Sequence, residues 1–240
     1  MISKYNKDKQ IYEGKAKKLY TIKGVKNLLI QEFKDDATAF NALKKGTILN
    51  KGIINNEITA YIFKYLMKNG IKTHFVEKIS DTDMVVKRLK IIMIEVVVRN
   101  IAAGSLLKKT NLKEGQVLKS PIVEFYYKED ALGDPMINES HALAMKIATL
   151  QDMITLKKQA EAINAKLKPF FKKRHLKLVD FKLEFGKDLT GKILLGDEIT
   201  PDTCRLWDDK TNEKLDKDRF RFDLGKVNES YAEVRNRICI

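Results

Sequence analysis

The strongest pattern of apolar and polar positions is a strict alternation over residues 178–185. Val179, Phe181, Leu183 and Phe185 stand on one side of it, Asp180, Lys182 and Glu184 on the other. Successive side chains of a strand point to opposite faces, so this predicts a half-buried strand with a charged outer face. A turn-rich patch from Gly186 to Lys192 leads to a second short strand, Ile193–Leu195, and the two read as a hairpin opening into Gly196-Asp197-Glu198. Near the N-terminus, Ile11 to Tyr20 reads as two strand-like flanks around Gly14, with Asn27–Phe33 as the next strand and Lys34–Asn41 as a polar turn. The period changes over Asn56–Lys68, where Ile58, Ile62, Tyr65 and Leu66 share one helical stripe, with Asn55 or Asn56 as cap and Gly70 as stop. A longer helix runs from a Thr149/Asp152 capping box to Phe171, with Met153, Leu156, Ala160, Ile163, Leu167 and Phe170 as its apolar stripe. Both stripes read as core. Between them, Glu95–Val98 is a β-branched strand running into small residues, Ser105 is placed to cap a helix, Pro121–Tyr127 is a strand and Gly133–Glu139 a polar loop. Ser230–Arg237 reads as a short terminal helix.

Composition narrows the class. The chain has 240 residues, 44% apolar and 32% charged, enough for a full core. Its first residues carry no apolar signal region, and the longest apolar run, Ile91–Val98, is broken by Glu95 and too short to span a bilayer. Cys204 and Cys239 have neither metal-ligand nor disulfide spacing, so a cytoplasmic protein with no membrane partner is expected. The Asn138 and Asn228 glycosylation patterns are then chance matches. Net charge is +14, but 38 of the 46 basic residues are lysines scattered along the chain, without a basic tract interleaved with aromatics. A solvated lysine-rich surface fits better than a specific nucleic-acid face. The eight arginines are more informative, since planar bidentate binding of carboxylate or phosphate favours Arg.

Three stretches carry candidate chemistry. The charged face of the 178–185 strand, continued by Asp197, offers hard oxygen ligands of the kind Mg²⁺ takes alongside substrate phosphates; a plain solvated sheet face is the alternative. The hairpin tip at Gly14 could lie over a triphosphate, with Lys15 and Lys17 meeting its charge, or could be an ordinary surface hairpin. A helix starting at Ser105, beside Arg99, could receive a phosphate monoester, or the stretch could be a strand–turn–helix corner with a packing glycine. His74, His141 and His175 have no neighbouring ligands and suggest no chemistry.

Taken in order, Glu13-Gly14-Lys15-Ala16-Lys17, Val98-Arg99-Asn100 with Ala103-Gly104-Ser105, Asp134-Pro135-Met136, residues 179–186, Gly196-Asp197-Glu198 with Pro201-Asp202 and Arg205-Leu206-Trp207, and Asp216–Arg221 resemble the SAICAR synthetase family of purine biosynthesis. The resemblance runs from Tyr12 to Arg221, with two departures: Met93 stands where many members carry proline, and Lys226 where a second glycine is usual. It implies an ATP-dependent ligase joining carboxyaminoimidazole ribonucleotide to L-aspartate with release of ADP and phosphate. By the same resemblance, Glu184 and Asp197 would be Mg²⁺ ligands, and Lys15, Ala16 and Lys17 would cover the ATP phosphates. Adenine would sit near Lys87 to Ile92, with Lys87 and Ile91 in contact. Arg99, Ser105, Arg205 and Arg221 would hold the nucleotide substrate, and Asp180 and Lys182 would face the reacting groups. The expected fold is α+β in two lobes, a small antiparallel-sheet lobe over residues 1–88 and a larger mixed lobe over 89–240, with ATP in the cleft between them. A small-molecule kinase or a ligase for another amine on the same scaffold is the rival enzyme reading. Oligomeric state stays open, a homodimer included.

Overall fold

In the computed structural model, which describes residues 4–39 and 43–239, the alternating stretch becomes the middle strand of a sheet. The chain begins with β1 (Lys7–Glu13), β2 (Lys17–Ile22), β3 (Val25–Phe33), β4 (Asp36–Ala39), β5 (Lys44–Thr47), α1 (Lys51–Lys68), β6 (Phe75–Lys78) and β7 (Asp83–Lys87). It continues with β8 (Lys90–Ile101), β9 (Val117–Tyr127), β10 (Met136–Ile137), α2 (Glu139–Ala144), α3 (Leu150–Lys172), β11 (Leu176–Lys187), β12 (Ile193–Leu195), β13 (Cys204–Asp208), α4 (Asp218–Arg221) and α5 (Val227–Ile238). A 3-10 turn, Gly104–Lys108, follows β8.

Among the described residues two large antiparallel sheets result, with β4 and β5 paired as a separate two-stranded ribbon. The first is five-stranded, in the order β1-β2-β3-β7-β6; the second is β10-β9-β8-β11-β12, with β13 also paired to β11. β12 binds the far end of β11, Phe185 opposite Leu195, and β13 the near end, so the predicted hairpin forms. The sheets are stitched by a parallel bridge between Thr73 and Leu195, with the His74 amide donating to the Leu195 carbonyl at 2.8 Å. His74 is buried with its ring edge-on to Phe63, and burial, aided by Lys17, pushes its imidazole down to about 3, so it is a neutral packing residue. One apolar cluster runs through both sheets: Leu29, Phe33 and Val86 from the first, Val96, Val98, Phe181 and Phe185 from the second, with the stripes of α1, α3 and α5 between and around them. No helix among the described residues is long and apolar enough to cross a membrane.

The structure corrects several expectations. A β-bulge between Leu178 and Asp180 takes Val179 out of the main core face to pack with Ala103 and Trp207, because two residues of β11 there oppose one of β13. α1 starts at Lys51, not Asn56; its N-cap, Asn50, is left-handed and makes no side-chain cap. The Asp35 carboxylate instead accepts from the Gly52 amide at 2.8 Å. Asn55 and Asn56 lie inside the helix, fully buried, where Asn55 donates to Asp202 and Asn56 to the carbonyls of Ser80 and Asp81. The side-chain amide nitrogens of these two residues find tertiary partners in place of a cap, while both Oδ1 atoms are buried without a hydrogen bond to the described residues. Part of the expected polar turn at Lys34–Asn41 is strand β4, because Ala37 and Ala39 alternate into the interior; Phe40 and Asn41 lie outside the described residues. Ser105 caps no α-helix but sits within the 3-10 turn, whose N-cap, Ala103, makes no side-chain bond. The 133–139 loop contains the short strand β10, paired with β9.

Candidate active site

The charged face of the second sheet is built by register. β8 and β11 place Glu95 opposite Glu184, Val97 opposite Lys182 and Arg99 opposite Asp180, so the outward face of two neighbouring strands is acidic in the middle and arginine-bearing at one end. Toward the other end that face turns apolar, and Ile91 and Met93 are exposed. At the centre, the Lys182 ammonium lies 2.7 Å from Glu184 Oε1, 3.0 Å from Glu95 Oε1 and 3.5 Å from Asp197 Oδ2. Lys128 adds a second ammonium 2.9 Å from Glu184, and Lys17, from the start of β2, pairs with Asp197 and reaches to 3.7 Å from Glu198. Burial would neutralise Lys182, but Glu184 and Glu95 outweigh it and hold the ammonium well above the ordinary lysine range. Burial likewise opposes ionisation of Glu184, and Lys182, Lys128 and Lys17 override it, holding its carboxyl well below the ordinary range. Carboxylates from β11 and from the turn after β12 thus converge on one cationic point. Glu198 Oε2 is buried there without a hydrogen bond. Among the described residues no three His, Cys, Asp or Glu side chains form a metal cage by themselves.

Beside this cluster lies a cavity of about 310 Å³, lined in part by Lys15, Thr38, Arg99, Asp180, Lys182, Lys217 and Arg221. Arg99 is buried, and each of its three guanidinium nitrogens has a partner. Its Nε donates to Glu124 at 2.6 Å, Nη1 to Asp180 at 3.0 Å and Nη2 to the Ser105 hydroxyl at 3.0 Å. Arg205 Nη1 donates to both oxygens of Asp180, at 3.1 and 2.9 Å, and its Nε to Asp218 at 2.8 Å. Gly104, at φ +57°, lets the 3-10 turn lie flat against that guanidinium, since a Cβ there would stand 2.6 Å from Arg205 Nη2. Asp202, at the cavity wall, is fixed by Lys51, Lys217, Asn55 and the Tyr231 hydroxyl. This matrix of fixed donors is what anion binding requires without reorganisation.

Of the residues singled out from sequence, Asp180, Lys182, Arg99, Arg205, Arg221 and Lys15 line the cavity together, and Ser105 touches it through Arg99. Glu184, Asp197 and Lys17 form the adjoining cluster. Lys15 reaches across from the hairpin tip to Asp130, 2.7 Å away, and the Ala16 carbonyl accepts from the Lys34 amide, which fixes the turn. Lys87 and Ile91 line no part of the cavity; Ile91 is opposite Gly186, on the far side of Glu184. Glu95, Glu124, Lys128, Asp202, Lys217 and Asp218 went unread. Glu95 had a signal, a lone acid on the same strand face as Arg99, and Asp202, Lys217 and Asp218 lie inside the ordered motifs although no role was read for them; Glu124 and Lys128 meet the site only through tertiary pairing.

A sequence model of the SAICAR synthetase family matches residues 10–238. The phosphoribosylaminoimidazole-succinocarboxamide synthase of Chloroherpeton thalassium is 60% identical over 232 residues, 97% of this chain and 98% of its own. Among solved structures, the same-named enzyme of Ehrlichia chaffeensis superposes with a TM-score of 0.93 at 47% identity, over 96% of this chain and 98% of that one. A SAICAR synthetase in complex with ADP superposes at 0.92 with 50% identity, over 95% and 96%. With fold, length and ordered motifs all in agreement, this chain belongs to the SAICAR synthetase family.

Proposed function

We propose that this chain joins carboxyaminoimidazole ribonucleotide to L-aspartate at the expense of ATP, giving SAICAR, ADP and phosphate in de novo purine biosynthesis. The observation that carries the reading is the convergence of Glu184 and Asp197 on one cationic centre next to an arginine-lined cavity. A carboxylate does not react with an amine until one oxygen becomes a leaving group. Transfer of the γ-phosphoryl group to the nucleotide's carboxylate gives an acyl phosphate; attack of the aspartate amine on the acyl carbon then forms the amide and expels phosphate. Such a transfer demands positioning and charge neutralisation more than covalent help. Lys15, Ala16 and Lys17 cover the phosphates, Lys182 stands between phosphate and carboxylate ligands, and Arg99, Arg205 and Arg221 hold the ribonucleotide. Asp180 keeps two of those arginines in place. Adenine fits the apolar end of the face, by Lys87 to Ile92; that the cleft takes an adenine nucleotide accords with the relative solved in complex with ADP.

The donor set fits Mg²⁺, which Glu184 and Asp197 would hold: two hard carboxylate side chains converge, and Glu198 Oε2 beside them has no hydrogen bond. When bound, the ion supplies neutralisation of phosphate charge. The division into lobes at residue 88 is part of the same reading, supported by the break between the sheets at β7 and β8. A cytoplasmic setting accords with two free thiols. The test is ADP release measured with the imidazole ribonucleotide and each of several amino acids. Release that requires L-aspartate is expected; release independent of the amine, or selective for another, would replace this reading with the kinase or the alternative ligase.

A further inference from the structure

Six charged side chains alternate in single file along the wall of the substrate cavity and behind it: Glu124, Arg99, Asp180, Arg205, Asp218 and Arg221. Arg99, Asp180, Arg205 and Arg221 line the cavity, whereas Asp218 stands behind it. Its two oxygens serve different arginines. Oδ2 accepts from Arg205 Nε at 2.8 Å and Oδ1 from Arg221 Nη1 at 2.6 Å. Arg205 is on β13 and Arg221 at the end of α4, so a single carboxylate joins a strand to a helix.

The carboxylate is itself anchored. The Asp218 amide donates to Asp216 Oδ1 at 2.8 Å, and Asp216 Oδ2 accepts from the Leu206 amide, next to Arg205, at 2.9 Å. Asp216 is wholly buried. This acidic turn therefore fixes the distance between the two guanidiniums from both sides. Burial works against the Asp218 charge, and Arg205 and Arg221 outweigh it, holding the carboxyl below its ordinary value so that it stays an acceptor. Meanwhile Arg205 Nη2 and the Nε and Nη2 groups of Arg221 make no hydrogen bond to the described residues. A guanidinium with one edge locked to a carboxylate presents its other edge in a fixed plane, as bidentate capture of a phosphate or carboxylate requires.

We infer that Asp218 is a positioning residue for the ribonucleotide substrate: it orients Arg205 and Arg221 so that Arg205 Nη2 and the free Nε/Nη2 edge of Arg221 are presented to the substrate's anionic group. The inference rests on the ligase reading above. It differs from a general packing role, because it acts on one substrate and through two named arginines.

The experiment compares wild type, Asp218→Asn, Arg221→Met and the double variant by steady-state kinetics, with the imidazole ribonucleotide, ATP and L-aspartate each varied. Thermal midpoints are measured alongside. Asn keeps the shape but leaves one arginine without an ionised acceptor. The expected result is a KM for the ribonucleotide raised tenfold or more, a KM for ATP within twofold of wild type, and a smaller change in kcat. In the Arg221→Met background the Asp218→Asn effect on that KM is expected to shrink severalfold, since part of what Asp218 holds is gone. An unchanged KM for the ribonucleotide would overturn the inference. So would equal losses for ATP and ribonucleotide with a fallen midpoint, the mark of a structural residue, or full additivity of the two substitutions. Wild type without aspartate-dependent turnover would remove the ligase reading and this inference together; an active wild type with an indifferent Asp218→Asn removes the inference alone.

Discussion

Asp197 sits in the left-handed region at φ +56°, where asparagine and aspartate are the best tolerated residues after glycine. Asp197→Asn therefore keeps the backbone and the side-chain volume while removing one charge from a cluster that pairs with Lys17 and Lys182. We expect a thermal midpoint within a few degrees of wild type and turnover lowered on the order of a hundredfold or more, since the site would lose one of the two carboxylates that would hold the phosphate-neutralising Mg²⁺. Near-normal turnover at native stability would place Asp197 outside the chemistry. Legibility at this scale divides by mechanism. Asp180, Lys182 and Glu184 could be read because a two-residue period declares which side chains share a face. The roles of Lys128 and Asp218 could not, because Lys128 enters the site from the segment after β9 and Asp218 from the start of α4, and both placements depend on strand pairing elsewhere in the chain.

At the scale of elements, regular periodicity was the reliable signal and local capping the weak one. The Thr149/Asp152 box closes in both directions and its helix buries the whole expected stripe. The start of α1 was misread, since its amide acceptor, Asp35, belongs to the preceding strand connection. The departure at Lys226 has a physical consequence that the sequence could only hint at. Lys226 is the N-cap of α5, with φ +49°, directly after Gly225 at φ +69°, and makes no side-chain cap. A left-handed lysine costs about 1–2 kcal/mol. Lys226→Gly relieves that, while glycine's freer unfolded chain returns about 0.4–1 kcal/mol. The net is a stabilisation centred on about 0.8 kcal/mol and no larger than about 1.6 kcal/mol, or roughly 2–3 °C in the thermal midpoint for a chain of this size. Differential scanning calorimetry reads it directly, and a lowered midpoint would show that Lys226 does work at the helix start beyond holding its backbone.

At the scale of the molecule, the sequence suggested two lobes, and its ordered motifs pointed to the family; how firmly the lobes are joined was not legible, because the joints are long-range. His74 ties β12 to the first sheet through backbone hydrogen bonds. The C-terminal helix returns across the sequence: Val234 and Ile238 enter the main core, Tyr231 bonds Asp202, and Arg235 grips Glu57 on α1 at 2.9 and 3.1 Å. Leu29 and Phe33 of the first sheet share one apolar cluster with Phe181 and Phe185 of the second. Opening either sheet alone would expose the shared cluster and strand the buried Asp202 network, at a cost well above the few kcal/mol that make partial unfolding visible. Urea unfolding should therefore be one transition. Trp207, the single tryptophan, reports the second sheet through its emission, and hydrogen exchange followed by mass spectrometry reports β3 and β7 in the first. Coincident midpoints and equal slopes are expected from the two probes. A first sheet that loses protection at a lower urea concentration than Trp207 loses its native emission would mean that the lobes are separate folding units, with the ligand cleft held by an interface weaker than its shared core suggests.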